Sequence, residues 1–314
     1  MLITIAQAVA GLGMLYLGGE ALVRGASALA LRLGMSSLAI GLTVVAFGTS
    51  MPELIVSVDA TLKGLGDIAI GNVVGSNIAN IALILGIATI LRPSVVEAKV
   101  VRFDAPLMVG VSLALALALF DGAVSRVEGI GLLVGLVGYT GFTFWESKRE
   151  TDPVQDEFSS AVPVPQVGMV LAIALVVTGL SMLLGGGHLL VLSAVELAHS
   201  FGVSEAVIGL TIVAIGTSLP ELVTSVVASL RGQGDIAIGN VVGSNIFNIL
   251  GIVGTAAVID PLRLGGVTWT DVGAMGALAC LLVFILFVRP RLGRIEGIVF
   301  LSCYTLYLGG LVSS

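Results

Sequence analysis

The sequence contains little charge and almost no cysteine. Only 11% of its 314 residues are charged and 57% are hydrophobic, whereas a typical soluble domain has about 25% charged residues. This composition excludes an ordinary soluble globular domain. The net charge is −6 and there is no basic patch, so nothing indicates a nucleic-acid partner. The two cysteines, Cys280 and Cys303, lie in apolar stretches, where we expect buried thiols and no disulfide framework.

Apolar stretches of about 20 residues, the length that spans a bilayer, recur from one end of the chain to the other. The first of them, MLITIAQAVAGLGMLYLGG, lacks the basic start of a cleaved signal peptide and is interpreted as a membrane helix. We predict an all-α integral membrane protein whose partner is the lipid bilayer. Breaks at polar, Pro or Gly-rich points predict ten helices, over residues 3–31, 37–62, 67–90, 103–120, 127–145, 166–198, 205–230, 235–258, 271–288 and 295–312.

A polar segment near the middle divides the chain into two copies of one unit. The stretch SKRETDPVQDEFSS has the composition of a solvated linker. Residues 41–88 align without a gap to residues 209–256 at an offset of 168, and 34 of 48 positions are identical, too many for shared apolar composition to explain. We therefore predict three parts: a first five-helix repeat over 1–146, a linker over 147–165 and a second five-helix repeat over 166–314.

Because each copy has an odd number of helices, the second copy enters the membrane from the opposite side. Inverted repeats of this kind are typical of secondary transporters, in which the site lies at the midplane where the repeats meet. Ten helices assign each loop to one side of the membrane. Without Arg24, which lies inside the first helix, ten Lys and Arg residues fall on the side of the linker and three on the other side. The positive-inside rule then places the linker in the cytoplasm and both termini outside the plasma membrane.

The segment AFGTSMPEL combines a helix break with a charge inside an apolar span. Pro52 cannot donate to its i−4 carbonyl, so the turn before it is expected to unwind and free backbone oxygens. Glu53 costs roughly 2.5–3.5 kcal/mol at the centre of a membrane span, and Thr49 lies one turn before it on the same face. Glu221 and Thr217 repeat the pattern. Carboxylates, hydroxyls and carbonyls form the all-oxygen environment that a hard cation needs, so each copy is predicted to supply half of a cation site.

The following helix of each copy adds more polar side chains. Each copy has three on one helical face at a spacing of four: Asn72, Ser76 and Asn80, and Asn240, Ser244 and Asn248. Interhelical hydrogen bonding is the alternative to ion binding for these residues, and capping of a half-helix is the alternative for the glutamates. The matched positions in two copies favour ion binding for the glutamates. Asn77 and Asn245 flank the breaks expected in helices 3 and 8, where we predict backbone capping.

One charged pair falls outside the repeated pattern. Glu20 and Arg24 are spaced i, i+4 in the first helix, which predicts an internal ion pair. The residues aligned with them at the offset of 168 are His188 and Leu192, so the pair is not part of the repeated machinery.

The paired blocks G-T-S-[LM]-P-E and G-N-V-V-G-S-N-I-x-N resemble the two alpha-repeats of the cation/Ca²⁺ exchanger superfamily, in particular its prokaryotic Na⁺/Ca²⁺ exchangers. The resemblance covers all ten helices in order. It implies that helices 2, 3, 7 and 8 are broken and form the ion-binding core, against which the long helices 1 and 6 slide. It also implies a set of ion ligands: Glu53, Ala46, Thr49, Ser50 and Ser76, their mates Glu221, Ala214, Thr217, Ser218 and Ser244, and Asn80 and Asn248.

Two features depart from the family pattern. Many members have Asp where this chain has Asn248, so the charge of the site differs. Animal members carry a large Ca²⁺-sensing domain between the halves, whereas this chain has only the linker over 147–165. No regulation of that kind is therefore expected.

We predict an antiporter that exports Ca²⁺ using the inward Na⁺ gradient, with Ca²⁺ and Na⁺ as transported ions, no prosthetic group and no protein partner. An enzyme is not predicted, because no nucleophile–base pair or phosphate-binding motif is present. H⁺/Ca²⁺ exchange is an alternative, since two glutamates can carry two protons, although the many hydroxyl and carbonyl oxygens favour Na⁺. A cation channel is a second alternative, but channels usually place their rings in a symmetric oligomer.

Overall fold

The computed structural model describes residues 2–147, 167–200, 214–263 and 265–313, and these are almost entirely helical. The first half contains α1 (Leu2–Leu33), α2 (Ser37–Thr49), α3 (Met51–Leu62), α4 (Gly66–Leu91), α5 (Val100–Ala118) and α6 (Arg126–Ser147). The second half contains α7 (Met169–Ser200), α8 (Ala214–Thr217), α9 (Leu219–Leu230), α10 (Gly234–Ile259), α11 (Trp269–Val288) and α12 (Arg294–Ser313). The predicted linker over 147–165 and the predicted start of a helix at 205 fall outside the described residues, apart from Ser147.

Within the described residues, seven helices are long and apolar enough to cross a membrane, and eight if α2 and α3 are taken as one bent span. The chain is therefore an all-helical membrane protein. The central helices are α4 and α10, in which 72% and 83% of the apolar window is buried, against 17% in the peripheral α6. Cys280 is exposed on α11, which corrects the expectation of burial. An apolar side chain on a peripheral helix faces lipid and needs no protein cover.

The chain changes direction at Ser50, where α2 meets α3 at an angle of 45°. Ser50 has φ −82° and ψ 9°, and Ser218, which joins α8 to α9, has φ −90° and ψ 8°. A proline stands in the first turn of the helix that follows each serine. Since proline lacks the N–H that would continue the ladder, the preceding turn leaves helical geometry there.

Helices α4 and α10 differ from the prediction of a break. Each runs without interruption through a π-helical turn, over Asn80–Leu85 in α4 and Asn248–Val253 in α10. Neither segment contains a proline, so no N–H group is missing from the backbone there. Turns of this kind occur frequently at functional sites.

Two short antiparallel strand pairs join the halves in the described part of the chain. Strand β1 (Ser94–Val95) pairs with β4 (Arg291–Leu292), and β2 (Ala123–Val124) pairs with β3 (Leu262–Arg263). At the offset of 168, β1 aligns with β3 and β2 aligns with β4. The two strand pairs are therefore counterparts of each other. The all-helical prediction did not contain these strands, which are only two residues long.

Helices α1 and α7 cross through glycines. A Cβ atom built on Gly18 would lie 2.9 Å from the carbonyl oxygen of Gly179, and one on Gly179 would lie 2.8 Å from that of Gly18. The same reciprocal contact joins Gly11 and Gly186. Only glycine allows helices to approach this closely. Adding 168 to Gly11 and Gly18 gives Gly179 and Gly186, so each of the two contacts is the counterpart of the other. This holds although the sequence similarity between α1 and α7 is weak.

The predicted ion pair in α1 is confirmed and extended. Glu20 lies 2.9 Å from the guanidinium of Arg24. Glu20 also accepts a hydrogen bond of 2.6 Å from Nε of Arg231, at the end of α9. The pair therefore connects α1 to the helix that carries Glu221.

Candidate cation site

Two glutamates and two serines form a crossed arrangement at the centre of the molecule. Glu53 lies in the first turn of α3 and Glu221 in the first turn of α9, and each is only 1% exposed. Ser50, just before α3, donates a hydrogen bond of 2.9 Å to Oε1 of Glu221. Ser218, just before α9, donates one of 3.0 Å to Oε1 of Glu53. Each helix break thus holds the carboxylate of the other half.

The second oxygen of each carboxylate has no such support. Oε2 of Glu53 and Oε2 of Glu221 are buried and have no hydrogen-bond partner among the described residues. A buried charged oxygen without a partner is strongly unfavourable. The two atoms therefore fit a bound positive charge better than they fit a purely structural role.

Asn72 and Asn240 hold the helices that carry the glutamates. Asn72 Nδ2 lies 3.1 Å from the Glu53 carbonyl oxygen and 2.9 Å from Ser57 Oγ. Asn240 Nδ2 lies 3.3 Å from the Glu221 carbonyl oxygen and 2.9 Å from its own serine partner, Ser225 Oγ. These two asparagines therefore join neighbouring helices, as the alternative of interhelical hydrogen bonding predicts.

The turns before the two serines carry the remaining backbone and hydroxyl candidates. Thr49 is fully buried, and its Oγ1 lies 3.3 Å from the Ala46 carbonyl oxygen and 3.0 Å from Asn240 Oδ1. The same Ala46 carbonyl accepts the Ser50 N–H at 3.1 Å. Ala214 is the first described residue of α8, and Thr217, half-buried, is the last residue of that helix. The structure thus places all four beside the helix breaks.

Ser76 and Ser244 occupy matched positions with different contacts. Ser76 Oγ lies 3.5 Å from Ser218 Oγ, close to the Glu53 carboxylate. Ser244 is fully buried, and its hydroxyl has no hydrogen-bond partner in the described part of the chain. Both serines lie on the helix faces that also carry Asn72 and Asn240.

Asn80 and Asn248 each begin a π-helical turn and are each 1% exposed. Neither side-chain polar atom of Asn80 has a partner among the described residues. Asn248 donates a hydrogen bond of 2.9 Å to Asn77 Oδ1, and its own Oδ1 is unpartnered in the same residues. The expected backbone capping by Asn77 and Asn245 is corrected, because there is no break to cap. Asn77 bonds the carbonyl of Asn245 across the helices, and Asn245 bonds the carbonyl of Val241 in its own helix.

A cavity of about 450 Å³ reaches the site from one side of the molecule. Its inner end is lined by Ser76, Thr217 and Ser218, and its mouth by Asp271 and Tyr307 among others. Tyr307 donates a hydrogen bond of 2.9 Å to Asp271. The cavity therefore extends to the serine that holds Glu53.

Sequence reasoning missed one contact and one buried polar residue near this cluster. Asn77, for which backbone capping was predicted, is fully buried and bonds the side chain of Asn248. Thr224 is fully buried on α9, one turn after Glu221, and its hydroxyl has no partner among the described residues. The only sequence signal for Thr224 was a hydroxyl aligned with the apolar Val56.

The cluster contains carboxylate, hydroxyl and amide oxygens, and several of them lack hydrogen-bond partners in the described residues. Ca²⁺ takes six to eight oxygen ligands in flexible geometry. The donor set therefore fits Ca²⁺ or Na⁺ held between two carboxylates.

Known proteins resemble this chain over nearly its whole length. The profile of the family described as "Sodium/calcium exchanger protein" matches residues 3–145 and 171–312. The "Inner membrane protein YrbG" of Escherichia coli is 36% identical over 99% of this chain and 97% of its own length. The "Sodium/calcium exchanger MaX1" of Methanosarcina acetivorans is 32% identical over 98% of both chains. A solved structure of the sodium-calcium exchanger NCX_Mj, soaked with Na⁺ and Ca²⁺, is 31% identical, covers 99% of both chains and superposes with a TM-score of 0.86.

Proposed function

Since the chain belongs to the sodium/calcium exchanger family and is therefore a Na⁺/Ca²⁺ antiporter, we propose that its ions bind between Glu53 and Glu221 and that it exports Ca²⁺ using the inward Na⁺ gradient. Ca²⁺ and Na⁺ are its substrates, and the family is one of transporters. No prosthetic group or protein partner is part of the proposal.

One observation carries the proposed site: each half holds the carboxylate of the other half. Ser50 and Ser218 occupy one oxygen of Glu221 and Glu53, respectively, and leave the other oxygen of each unpartnered within the described residues. A site divided in this way is complete only when both halves contribute. The proposed ligands are the two glutamates with Ala46, Thr49, Ser50, Ser76 and Asn80 and with Ala214, Thr217, Ser218, Ser244 and Asn248.

The charge of the site suits exchange of one divalent ion for two or more monovalent ions. The proposed ligands include two carboxylates and no basic side chain. If both are ionised, one Ca²⁺ or two Na⁺ neutralise them, and a third Na⁺ leaves one positive charge. A three-for-one cycle would then move charge in the Na⁺-loaded step, at about 2.3 kcal/mol per 100 mV for a full crossing.

The proposed architecture is ten transmembrane helices in two inverted repeats, over 1–146 and 166–314, joined by a linker over 147–165. The contacts that exchange under the offset of 168, in both strand pairs and in the α1–α7 crossing, support it. The excess of Lys and Arg supports a cytoplasmic linker and extracytoplasmic termini in the plasma membrane. In that orientation the cavity, which lies near the C-terminal end of α12, opens to the outside, where Na⁺ enters.

Glu53→Gln and Glu221→Gln test the proposed site. Each variant in proteoliposomes should lose at least about 90% of Na⁺-driven Ca²⁺ flux, because a buried divalent ion left uncompensated by one carboxylate costs several kcal/mol. Asp59→Asn is the matched control, since Asp59 is an exposed carboxylate on the same helix as Glu53 and pairs with Lys63. Near-normal exchange in either glutamine variant would refute the two-glutamate site.

The same vesicles separate the alternative functions. Ca²⁺ flux driven by an imposed Na⁺ gradient, with no response to a pH gradient, supports Na⁺ as the counter-ion. Flux driven by the pH gradient alone would favour H⁺/Ca²⁺ exchange. Flux that neither saturates nor needs a counter-ion would favour a channel.

A cysteine at Ser159 tests the orientation, although this position lies outside the described residues. In a background with Cys280 and Cys303 replaced by serine, an impermeant thiol reagent should label it only after lysis. Labelling in intact cells would reverse the proposed topology and the sides assigned to the cavity.

A further inference from the structure

Asn77 is a buried side chain outside the proposed ligand set, and it uses both ends of its amide. It lies in α4, one turn before Asn80, and is fully buried. Its Nδ2 donates a hydrogen bond of 3.3 Å to the backbone carbonyl of Asn245, and its Oδ1 accepts one of 2.9 Å from Asn248 Nδ2. Both of these partners belong to α10, and a longer contact of 3.7 Å joins Nδ2 to the sulfur of Met275 on α11. Asn77 therefore connects the two central helices beside the site.

These two hydrogen bonds fix the direction of the Asn77 amide and, through it, that of the Asn248 amide. A backbone carbonyl can only accept, so the end of Asn77 that faces Asn245 must be its NH₂ group. The oxygen of Asn77 then faces Asn248, which must answer with its own NH₂ group. The side-chain oxygen of Asn248 is left on the other side, buried and without a partner among the described residues.

The aligned residues of the other half do not form the same chain of contacts. Asn245 is the counterpart of Asn77, but its Nδ2 donates 2.7 Å to the carbonyl of Val241 in its own helix. Asn80 is the counterpart of Asn248, and neither of its side-chain polar atoms has a partner in the described residues. Of the aligned pair Asn80 and Asn248, therefore, only Asn248 has an amide direction that a neighbouring side chain among the described residues sets.

We propose that Asn77 is a positioning residue, which holds the side-chain oxygen of Asn248 toward the transported cation without contacting the cation itself. The inference rests on the proposed function, because Asn248 must be a ligand. An NH₂ group in place of that oxygen would repel the cation. Ca²⁺ depends more on the oriented oxygen than Na⁺ does, since a divalent ion needs six to eight oxygens and feels each dipole with twice the charge.

The test is a double-mutant cycle on Asn77 and Asn248 in proteoliposomes, with separate measurement of the KM for Ca²⁺ and for Na⁺. Asn77→Ala and Asn248→Ala should each raise the Ca²⁺ KM about tenfold, the size expected from one well-placed polar contact. The double variant should be no worse than Asn248→Ala, because Asn77 acts only through that side chain. The Na⁺ KM should change by less than about threefold.

Asn245→Ala is the matched control. It removes the same amide from the aligned position, where the one printed partner of the side chain in the described part of the chain lies in its own helix, so the Ca²⁺ KM should stay within about threefold of wild type. Asn77→Leu keeps the volume of the side chain and serves if Asn77→Ala does not fold.

Independent, additive effects of Asn77→Ala and Asn248→Ala would overturn the inference. So would equal rises in Ca²⁺ KM in the Asn77 and Asn245 variants accompanied by equal losses of melting temperature. A normal Ca²⁺ KM in Asn248→Ala would overturn both the inference and the place of Asn248 in the proposed site. A raised Ca²⁺ KM in Asn248→Ala together with an unchanged Ca²⁺ KM in Asn77→Ala would overturn the inference and leave the proposed site intact.

Discussion

The two halves of the molecule have nearly the same sequence around the site, yet their surroundings differ. On α4, Gly75 faces the cavity, and a Cβ atom built on it would meet nothing within 4 Å. On α10, the aligned Gly243 is packed against α2, and a Cβ atom there would lie 2.6 Å from the carbonyl oxygen of Leu42. Gly71 and Gly239 differ in the same way, since Gly71 lines the cavity and Gly239 contacts the backbone of α2.

This difference indicates how one site can serve two sides of a membrane. The sequence makes the halves interchangeable, but the conformation gives each half a different role. If the halves exchanged their surroundings, the present cavity would close over Gly71 and Gly75, and a new one would open along Gly239 and Gly243. Alternating access by inverted repeats follows this scheme. Thr224, the counterpart of the cavity residue Val56, would then line the new cavity.

The largest expected effect comes from adding a side chain to Gly75 or to Gly243. Gly243→Val cannot keep α10 against α2, so it should disfavour the present conformation. Gly75→Val fits the open space here but should prevent closure of the cavity. Both variants should lose at least about 90% of Ca²⁺ flux, because overpacking at a close helix contact costs about 1–3 kcal/mol or more.

The direction of the change distinguishes the two variants. A cysteine at Ala79, which lines the cavity, should react faster than in the parent protein when combined with Gly75→Val and more slowly with Gly243→Val. The parent lacks Cys280 and Cys303. Equal labelling rates in the two variants would contradict the exchange of surroundings between the halves.

A smaller effect is expected from the two asparagines that hold the glutamate helices. Asn240 is fully buried, whereas Asn72 lines the cavity. Asn240→Ala should therefore lower the free energy of unfolding by about 1–3 kcal/mol, since it removes the hydrogen bonds to the Glu221 carbonyl oxygen, Ser225 Oγ and Thr49 Oγ1 in a buried position. Asn72→Ala should cost less than about 1 kcal/mol, because water in the cavity can replace the lost bonds.

Thermal unfolding in detergent, with Ca²⁺ absent, compares the two asparagine variants directly. The difference in stability between them should shrink when each variant is combined with Gly243→Val. That change favours the conformation in which the halves exchange surroundings. If Asn72→Ala lowered the free energy of unfolding more than Asn240→Ala did, with Gly243 unchanged, the assignment of Asn72 to the water-accessible half and of Asn240 to the water-excluded half would be wrong.

The smallest effect concerns Glu20 and Arg231. Glu20 is 16% exposed and ties α1 to the end of α9. Its counterpart is His188, which is exposed, and the counterpart of Arg231 is Lys63. We therefore expect no equivalent ion pair in the opposite conformation. Arg231→Gln should shift the equilibrium away from the present conformation by about two- to fivefold, the range of a partly exposed pair.

The Ala79 cysteine measures this shift as a slower labelling rate. His188→Glu should move the rate in the same direction, because it supplies Lys63 with a new partner in the opposite conformation. That shift should be smaller, since Lys63 already lies 2.5 Å from Asp59. Faster labelling in Arg231→Gln would show that the pair does not hold the cavity open.

Local chemistry predicted much of the fold and part of the candidate site. Proline after Gly-Thr-Ser predicted the bend at Ser50, because a missing N–H acts on its own turn whatever surrounds it. The same reasoning failed at Asn80 and Asn248, where no proline interrupts the ladder and the helix widens into a π-turn. The second partner of Glu20 was also missed, since Arg231 is remote in sequence and has no spacing signal.

The sequence by itself determined that this chain lies in a membrane, that it contains one unit twice and that each unit carries a buried carboxylate next to a helix break. Apolar length, identity at a fixed offset and proline are properties of short segments, so they can be read without coordinates. Only the tertiary structure decided that Ser50 binds Glu221 while Ser218 binds Glu53. It also decided that Gly75 is open while Gly243 is packed. Two identical segments cannot differ by sequence, so the difference between them arises from the helices packed against each one.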